Sequence, residues 1–265
     1  PQLLTNLAWA FAALGAEERG LLRAFARTAK VKMTAFKAQE LSSFAWAHAT
    51  LAVRDPGLFA DIAVEAAEKA AEFTPQGLSN LMWSFATLGV AESGGLFEAA
   101  IGEAVLKVDR FKPQELSNLV WSLATLGVND AELLGEAARV AVGMVEDFNA
   151  QELSNIAWGL ATLGFVDGAL FDRIAQAAGR LISEFTPQGL SNLAWAFGTL
   201  GIKDDKLFRA ISDQSIAKVA DFEPQGLANL AWAFAALALK DLELFRAITK
   251  VALVNLRSFS AQDIS

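Results

Sequence analysis

The feature that most constrains this chain is the spacing of its tryptophans. They stand at Trp9, Trp46, Trp83, Trp121, Trp158, Trp195 and Trp232, at intervals of 37, 37, 38, 37, 37 and 37 residues. A glutamine precedes each by seven positions, at Gln2, Gln39, Gln76, Gln114, Gln151, Gln188 and Gln225, and Gln262 opens a further copy. A fixed period of this length means one supersecondary unit stacked on copies of itself. The expected fold is therefore all-α, an α-solenoid superhelix of about seven 37-residue helix-turn-helix repeats, with residues 1–265 forming one repeat domain. Such an array points to a binding surface without saying what is bound.

Each copy carries its own punctuation. In the copy from Phe185 to Phe222, Thr186 is a good N-cap and Pro187 a good first helical residue. Gly201 follows the last apolar position and suits a left-handed C-cap. The first helix of each repeat, helix A, is accordingly predicted at about 3–13, 38–51, 75–88, 113–126, 150–163, 187–200 and 224–237. Where the third helical position is Glu, as at Glu115 and Glu152, it can reach back to the N-cap backbone. The second helix, helix B, is amphipathic: Leu170, Phe171, Ile174, Ala178 and Leu181 recur at helical spacing after an Asp167 N-cap. The Phe closing each copy (Phe36, Phe73, Phe111, Phe148, Phe185, Phe222, Phe259) is expected at the B-to-A corner. The single 38-residue interval places an extra residue in a loop near Gly94-Gly95. Hairpins of this kind stack side by side.

Composition narrows the function. There is no cysteine, which excludes disulfides and thiolate metal sites. No apolar run reaches the ~18 residues that span a membrane. These residues contain no stretch that reads as a secretory signal or transit peptide, and any targeting segment is expected outside them. Pro1 begins one repeat and Ser265 falls early in another, with no polar cap at either end, so a fragment of a longer chain is expected. The net charge is −8, against the basic stripe usual in nucleic-acid binders. The charge is uneven, however. Residues 17–37 carry Arg19, Arg23, Arg27, Lys30, Lys32 and Lys37 against Glu17 and Glu18, whereas residues 114–150 have Arg139 as their only base. A graded surface and plain solvation of outer helices both fit this pattern.

On a helical wheel, Gln76, Asn80, Ser84 and Thr87 share one stripe of helix A, bordered by Trp83. The pattern returns as Gln114, Asn118 and Thr125, as Gln151, Asn155, Gly159 and Thr162, and as Gln188, Asn192, Ala196 and Thr199. Amides supply donors and an acceptor, and indoles offer flat faces for stacking bases. One reading is a groove for a single-stranded nucleic acid or an extended peptide. The other is that the amides tie neighbouring repeats together, with each Trp largely buried between hairpins. Residues identical in every copy cannot tell one base from another. Sequence readout would fall to variable positions such as the N-cap site, Lys37, Lys112, Asn149 and Thr186. Arg23 and Arg27, at the basic end, are candidates for phosphate attraction.

The site two residues after Trp is Phe or Leu in every copy except one, where it is His48, the only histidine. A His replacing a packing residue is the expected role. With no Cys, one His, no phosphate-cradling Gly-rich loop and no paired-carboxylate motif, the chain is not expected to be an enzyme, and no cofactor or metal is anticipated.

The segments FTPQGLSNLAWAFGTLG, FKPQELSNLVWSLATLG and FNAQELSNIAWGLATLG resemble the repeats of octotricopeptide and heptatricopeptide-type proteins, many of which end in a RAP domain. The resemblance covers essentially the whole chain. It implies an RNA-binding α-solenoid of the mitochondrion or chloroplast, part of a ribonucleoprotein, acting in organellar RNA metabolism or ribosome assembly. Its implied partner is single-stranded organellar RNA or ribosomal RNA. LSNLAWA is also similar, more weakly, to the Trp and Asn ladders of armadillo repeats, which bind extended peptides. That likeness keeps open a protein-binding scaffold, or a structural subunit of a large assembly.

Overall fold

A computed structural model describes residues 1–16, 18–91 and 94–255. Among these are fourteen α-helices and no strand. The A helices are α1 (Gln2–Ala13), α3 (Ala38–Thr50), α5 (Pro75–Leu88), α7 (Pro113–Leu126), α9 (Ala150–Thr162), α11 (Pro187–Leu200) and α13 (Pro224–Ala236). They alternate with the B helices α2 (Arg19–Val31), α4 (Pro56–Glu68), α6 (Leu96–Lys107), α8 (Ala131–Met144), α10 (Gly168–Arg180), α12 (Asp205–Ala217) and α14 (Leu242–Asn255). Helical-repeat solenoid is thus the fold class. Phe259 and Gln262 lie outside the described residues.

The helices begin and end where the side chains can satisfy their backbone. Thr74 Oγ1 accepts from the Gly77 N–H at 3.1 Å, and Thr186 Oγ1 does the same for Gly189. Lys37 and Lys112 offer no acceptor, and there the third helical residue substitutes: the Lys37 N–H donates to Glu40 and the Lys112 N–H to Glu115, at 2.8 and 2.9 Å. Asn149 and Glu152 cap each other reciprocally. Gly89, Gly127, Gly164 and Gly201 close helix A with φ between 62° and 68°. Ala52 and Ala238 hold the same left-handed position at φ 51° and 53°, a strained setting for a residue with a Cβ. Five of the seven B helices open on aspartates: Asp55, Asp130, Asp167, Asp204 and Asp241 each accept from the N–H three residues on.

The chain divides into two compact units, Pro1–Ala137 and Ala138–Ser265. In the first, α1, α3, α5 and α7 pack side by side as one layer and α2, α4 and α6 as another. In the second, α9, α11 and α13 form one layer and α10, α12 and α14 the other. A-helix neighbours meet far more extensively than B-helix neighbours, and small residues permit this. At Gly198 a Cβ would stand 3.0 Å from the Ala233 Cα, so α11 and α13 approach at a distance only glycine allows there. Between layers, edge-to-face rings run Phe59–Phe85–Phe97 in the first unit and Phe171–Phe197–Phe208–Phe234 in the second, with centroids 5.0–6.4 Å apart. His48 occupies the corresponding ring site in α3. It is fully buried, its Nδ1–H donating to the Phe44 carbonyl at 2.9 Å, while Nε2 makes no well-formed hydrogen bond and has the Leu22 backbone as its polar neighbour.

Two features had no sequence expectation. A short 3₁₀ turn, such as Met33–Ala35 or Ala70–Glu72, separates each B helix from the corner Phe in the first six copies. The corner Phe residues from Phe36 to Phe222 are buried as expected. Lysines then clamp that corner from the next repeat. Lys69 Nζ donates to the carbonyls of Thr34 and Phe36 at 3.0 and 2.6 Å. Lys107 does so to Ala71 and Phe73, both at 2.9 Å, and Lys218 to Ser183 and Phe185.

Candidate functional site

The A helices are almost free of charge. Their only ionised side chains are Glu40, Glu115 and Glu152, and all three are spent on N-cap backbones. Charge sits on the B helices and loops instead. In each unit the exposed edge of the A helices therefore carries mainly neutral polar groups and indoles.

On that edge Gln76, Gln114, Gln151 and Gln188 are exposed, as are Thr87, Thr125, Thr162 and Thr199, while Asn80, Asn118, Asn155 and Asn192 are half-buried. The third member of the predicted stripe is corrected. Ser84, Gly159 and Ala196 are buried, because eight residues from the Gln rotate the position about 80° toward the core. Ser84 and its counterpart Ser122 donate to the carbonyl one turn back, at 2.6 Å, and face no ligand.

The tying role expected for the amides is not observed. Among the described residues, no side-chain hydrogen bond joins these Gln and Asn amides to a neighbouring repeat. What does make a regular contact is the serine between them. Ser42, Ser117, Ser154 and Ser191 each donate to the carbonyl of the preceding Gln at 2.9–3.1 Å. Ser79 holds the equivalent place, is 1% exposed, and its Oγ has no partner.

The tryptophan expectation holds for the inner copies and is corrected at two: Trp46, Trp83, Trp121, Trp158 and Trp195 keep only a minor part of their surface open, whereas Trp9 and Trp232 are 53% and 48% exposed. Each indole lies about 20° from the Gln direction on the wheel, so it borders the open edge instead of pointing into the core. In the second unit Trp158, Trp195 and Trp232 form a ladder, with centroids 6.4 and 6.5 Å apart and planes inclined by 36° and 33°. In the first unit the N-terminal halves of the A helices border a groove of about 700 Å³. Trp9, Trp46, Gln39, Gln76, Asn80 and Ser79 line it, with Lys112 beside Glu72 and Glu115 as its only charged groups.

The variable N-cap residues are exposed at the mouth of this edge, but two already have structural duties. The Asn149 and Thr186 side chains are occupied as caps. Lys37 and Lys112 keep their ammonium groups outside the cap. Arg23 and Arg27 stand apart from the groove, exposed on the B helix α2. Within each unit the structure thus brings the Gln, Asn, Thr and Trp candidates onto one edge, and in the first unit it separates the two arginines from them. The Ser79 hydroxyl and the uncharged character of the whole edge are members that sequence reasoning did not single out. The Ser-Asn pair in the third to sixth copies and the scarcity of charge in the A helices were the signals available.

Among the described residues no helix is long and apolar enough to cross a membrane. A comparison with curated proteins found no match. A family model described as RNA-editing substrate-binding complex 6 protein matches residues 2–202, most of the chain, and the chain belongs to that family. The match is to this family and not specifically to the octotricopeptide or RAP proteins that the repeats resemble.

Proposed function

We propose that this member of the RNA-editing substrate-binding complex 6 family is a non-enzymatic, RNA-associated scaffold that holds an extended single strand along its A-helix edge. The family name favours an editing substrate over ribosomal RNA as the class of RNA. The mitochondrion is the compartment this reading favours; the chloroplast receives no support from the family.

One observation carries the reading. In successive repeats, amides without a tie to the next repeat stand beside partly open indoles on an edge with few charges. Unpaired bases match it: their faces stack on indoles and their edges pair with amides. Bases would face the protein and phosphates the solvent. Since Gln and Trp repeat unchanged, and Asn gives way only to Ser43 in the second copy, such binding tolerates many sequences.

The scarcity of cations in the groove favours a second occupant, a neutral extended polypeptide from another protein of the assembly. Crosslinking of the native complex with mass readout separates the two, because it identifies nucleotides or peptides on the groove residues. For the RNA reading, the direct test is titration of the chain with a short single-stranded RNA, followed by tryptophan fluorescence and anisotropy. Trp46→Ala with Gln76→Ala should weaken binding by about 1–3 kcal/mol per lost base stack. No binding and no fluorescence change at low salt would sink the reading.

A further inference from the structure

The strongest unassigned feature lies on the other edge of the first two hairpins. A cleft of about 270 Å³ opens between the B helix α2 and the loop joining α3 to α4. Arg23, Arg27 and Arg54 line it, together with Val53, Asp55 and Pro56. All three arginines are exposed. The one carboxylate present, Asp55, is already engaged: it accepts from Lys30 Nζ at 3.2 Å and from the Leu58 N–H at 2.9 Å. Arg54 is oriented by a long bond from Nη2 to the Gly89 carbonyl, 3.4 Å. Among the described residues neither Arg23 nor Arg27 has an acidic partner. With the Lys30–Asp55 pair neutral, the cleft carries a concentrated positive charge in a chain whose net charge is −8.

Nor is this a generic property of the repeat. The positions of Arg23 and Arg27 are taken by Ala60 and Val64 in the second copy, by Glu98 and Gly102 in the third and by Asp172 and Gln176 in the fifth, and both are basic again only in the seventh, as Arg246 and Lys250. Four residues apart on one helix, the two guanidiniums rise about 6 Å along the axis on a common face. Guanidinium groups bind phosphate oxygens in forked pairs.

We infer that the Arg23–Arg27–Arg54 cleft is a phosphate-backbone site for single-stranded RNA, separate from the groove on the A-helix edge. This rests on the RNA reading and completes it electrostatically. The groove has almost no cation to meet a phosphate, and the cleft has little but cations. It sits at the C-terminal end of α3, whereas the groove sits at the N-terminal ends of the A helices. The cleft therefore anchors the strand without reading it.

The test uses the whole chain and a single-stranded RNA, with affinity measured across a range of salt. Each phosphate contact on a single strand contributes about 0.7 to the slope of log affinity against log salt. The triple variant Arg23→Gln, Arg27→Gln, Arg54→Gln should lower that slope by about 2 and weaken binding of unrelated sequences alike. A control variant, Lys203→Gln, Lys206→Gln, Arg209→Gln, removes as many exposed cations elsewhere and should leave the slope near that of the parent. Unchanged melting curves confirm that both variants fold, and Arg23→Gln with Arg27→Gln alone serves if Arg54→Gln disturbs the loop. If the parent binds but its slope survives the triple change, or falls equally in the control, the cleft is not the phosphate site while the RNA reading stands. If the parent fails to bind at low salt, the RNA reading falls and takes this inference with it.

Discussion

At the scale of single residues, His48 shows how one substitution changes what a repeat responds to. Its counterparts are Phe85, Leu123, Leu160, Phe197 and Phe234, which only pack. His48 packs too, with its ring 4.5 Å from that of Phe44, yet it brings an Nε2 that makes no well-formed hydrogen bond. Burial pushes its pKa below the ordinary histidine value. In the unfolded chain the ring takes up a proton near pH 6.5, whereas in the folded chain it resists. The unfolded state therefore binds more protons below that pH, and stability falls as pH drops toward the folded value. Urea unfolding at pH 7.5 and pH 5 should show a loss on acidification that is smaller in His48→Leu, the residue that Leu123 and Leu160 already use at this site. An identical acid response in the variant assigns the loss to other groups.

At the scale of elements, the ends of helices were legible and their lateral ties were not. The A-helix boundaries agree with the sequence prediction to within one residue, because caps and left-handed closures are local chemistry. Thr74 and Gly77, or Lys112 and Glu115, can be paired by reading three residues ahead. The lysine clamp spans about one repeat length, and its acceptors are backbone carbonyls, which have no sequence signature. Nor does the wheel separate an indole that borders the edge from one that enters the core, since a rotation of some tens of degrees decides it. The same limit hid the missing amide ties. The clamp has a measurable consequence. Lys107 Nζ bonds two carbonyls of the preceding corner and pairs with Glu103 at 2.8 Å, with its side chain mostly buried. Lys107→Met keeps the stem and removes the donors, leaving two carbonyls unsatisfied. It should cost roughly 1–3 kcal/mol. Met144 and Leu181 occupy the same position in their copies and place no ammonium there, so Met144→Ala should cost no such donor loss. Equal destabilisation by both changes in chemical denaturation would argue against the clamp.

At the scale of the whole molecule, repetition makes stability local. Each hairpin buries its apolar faces against its neighbours, so energy is distributed along the chain as intrinsic and nearest-neighbour terms. Trp195 tests this, because its indole stands between Trp158 and Trp232 and belongs wholly to the second unit. A fully buried Trp cut to Ala costs about 3–5 kcal/mol. Trp195 is only half-buried, so its loss should lie below that range, at roughly 1–3 kcal/mol. The distribution of the loss matters more than its size. In Trp195→Ala, amide hydrogen exchange should accelerate most in α9, α11 and α13, whose packing the indole joins, and in α12, the partner of α11. The helices α1 to α5 should keep the protection of the parent chain. A uniform loss across all repeats would instead mean that the chain opens as one cooperative body. The open groove edge would then owe its order to the whole array and not to adjacent hairpins.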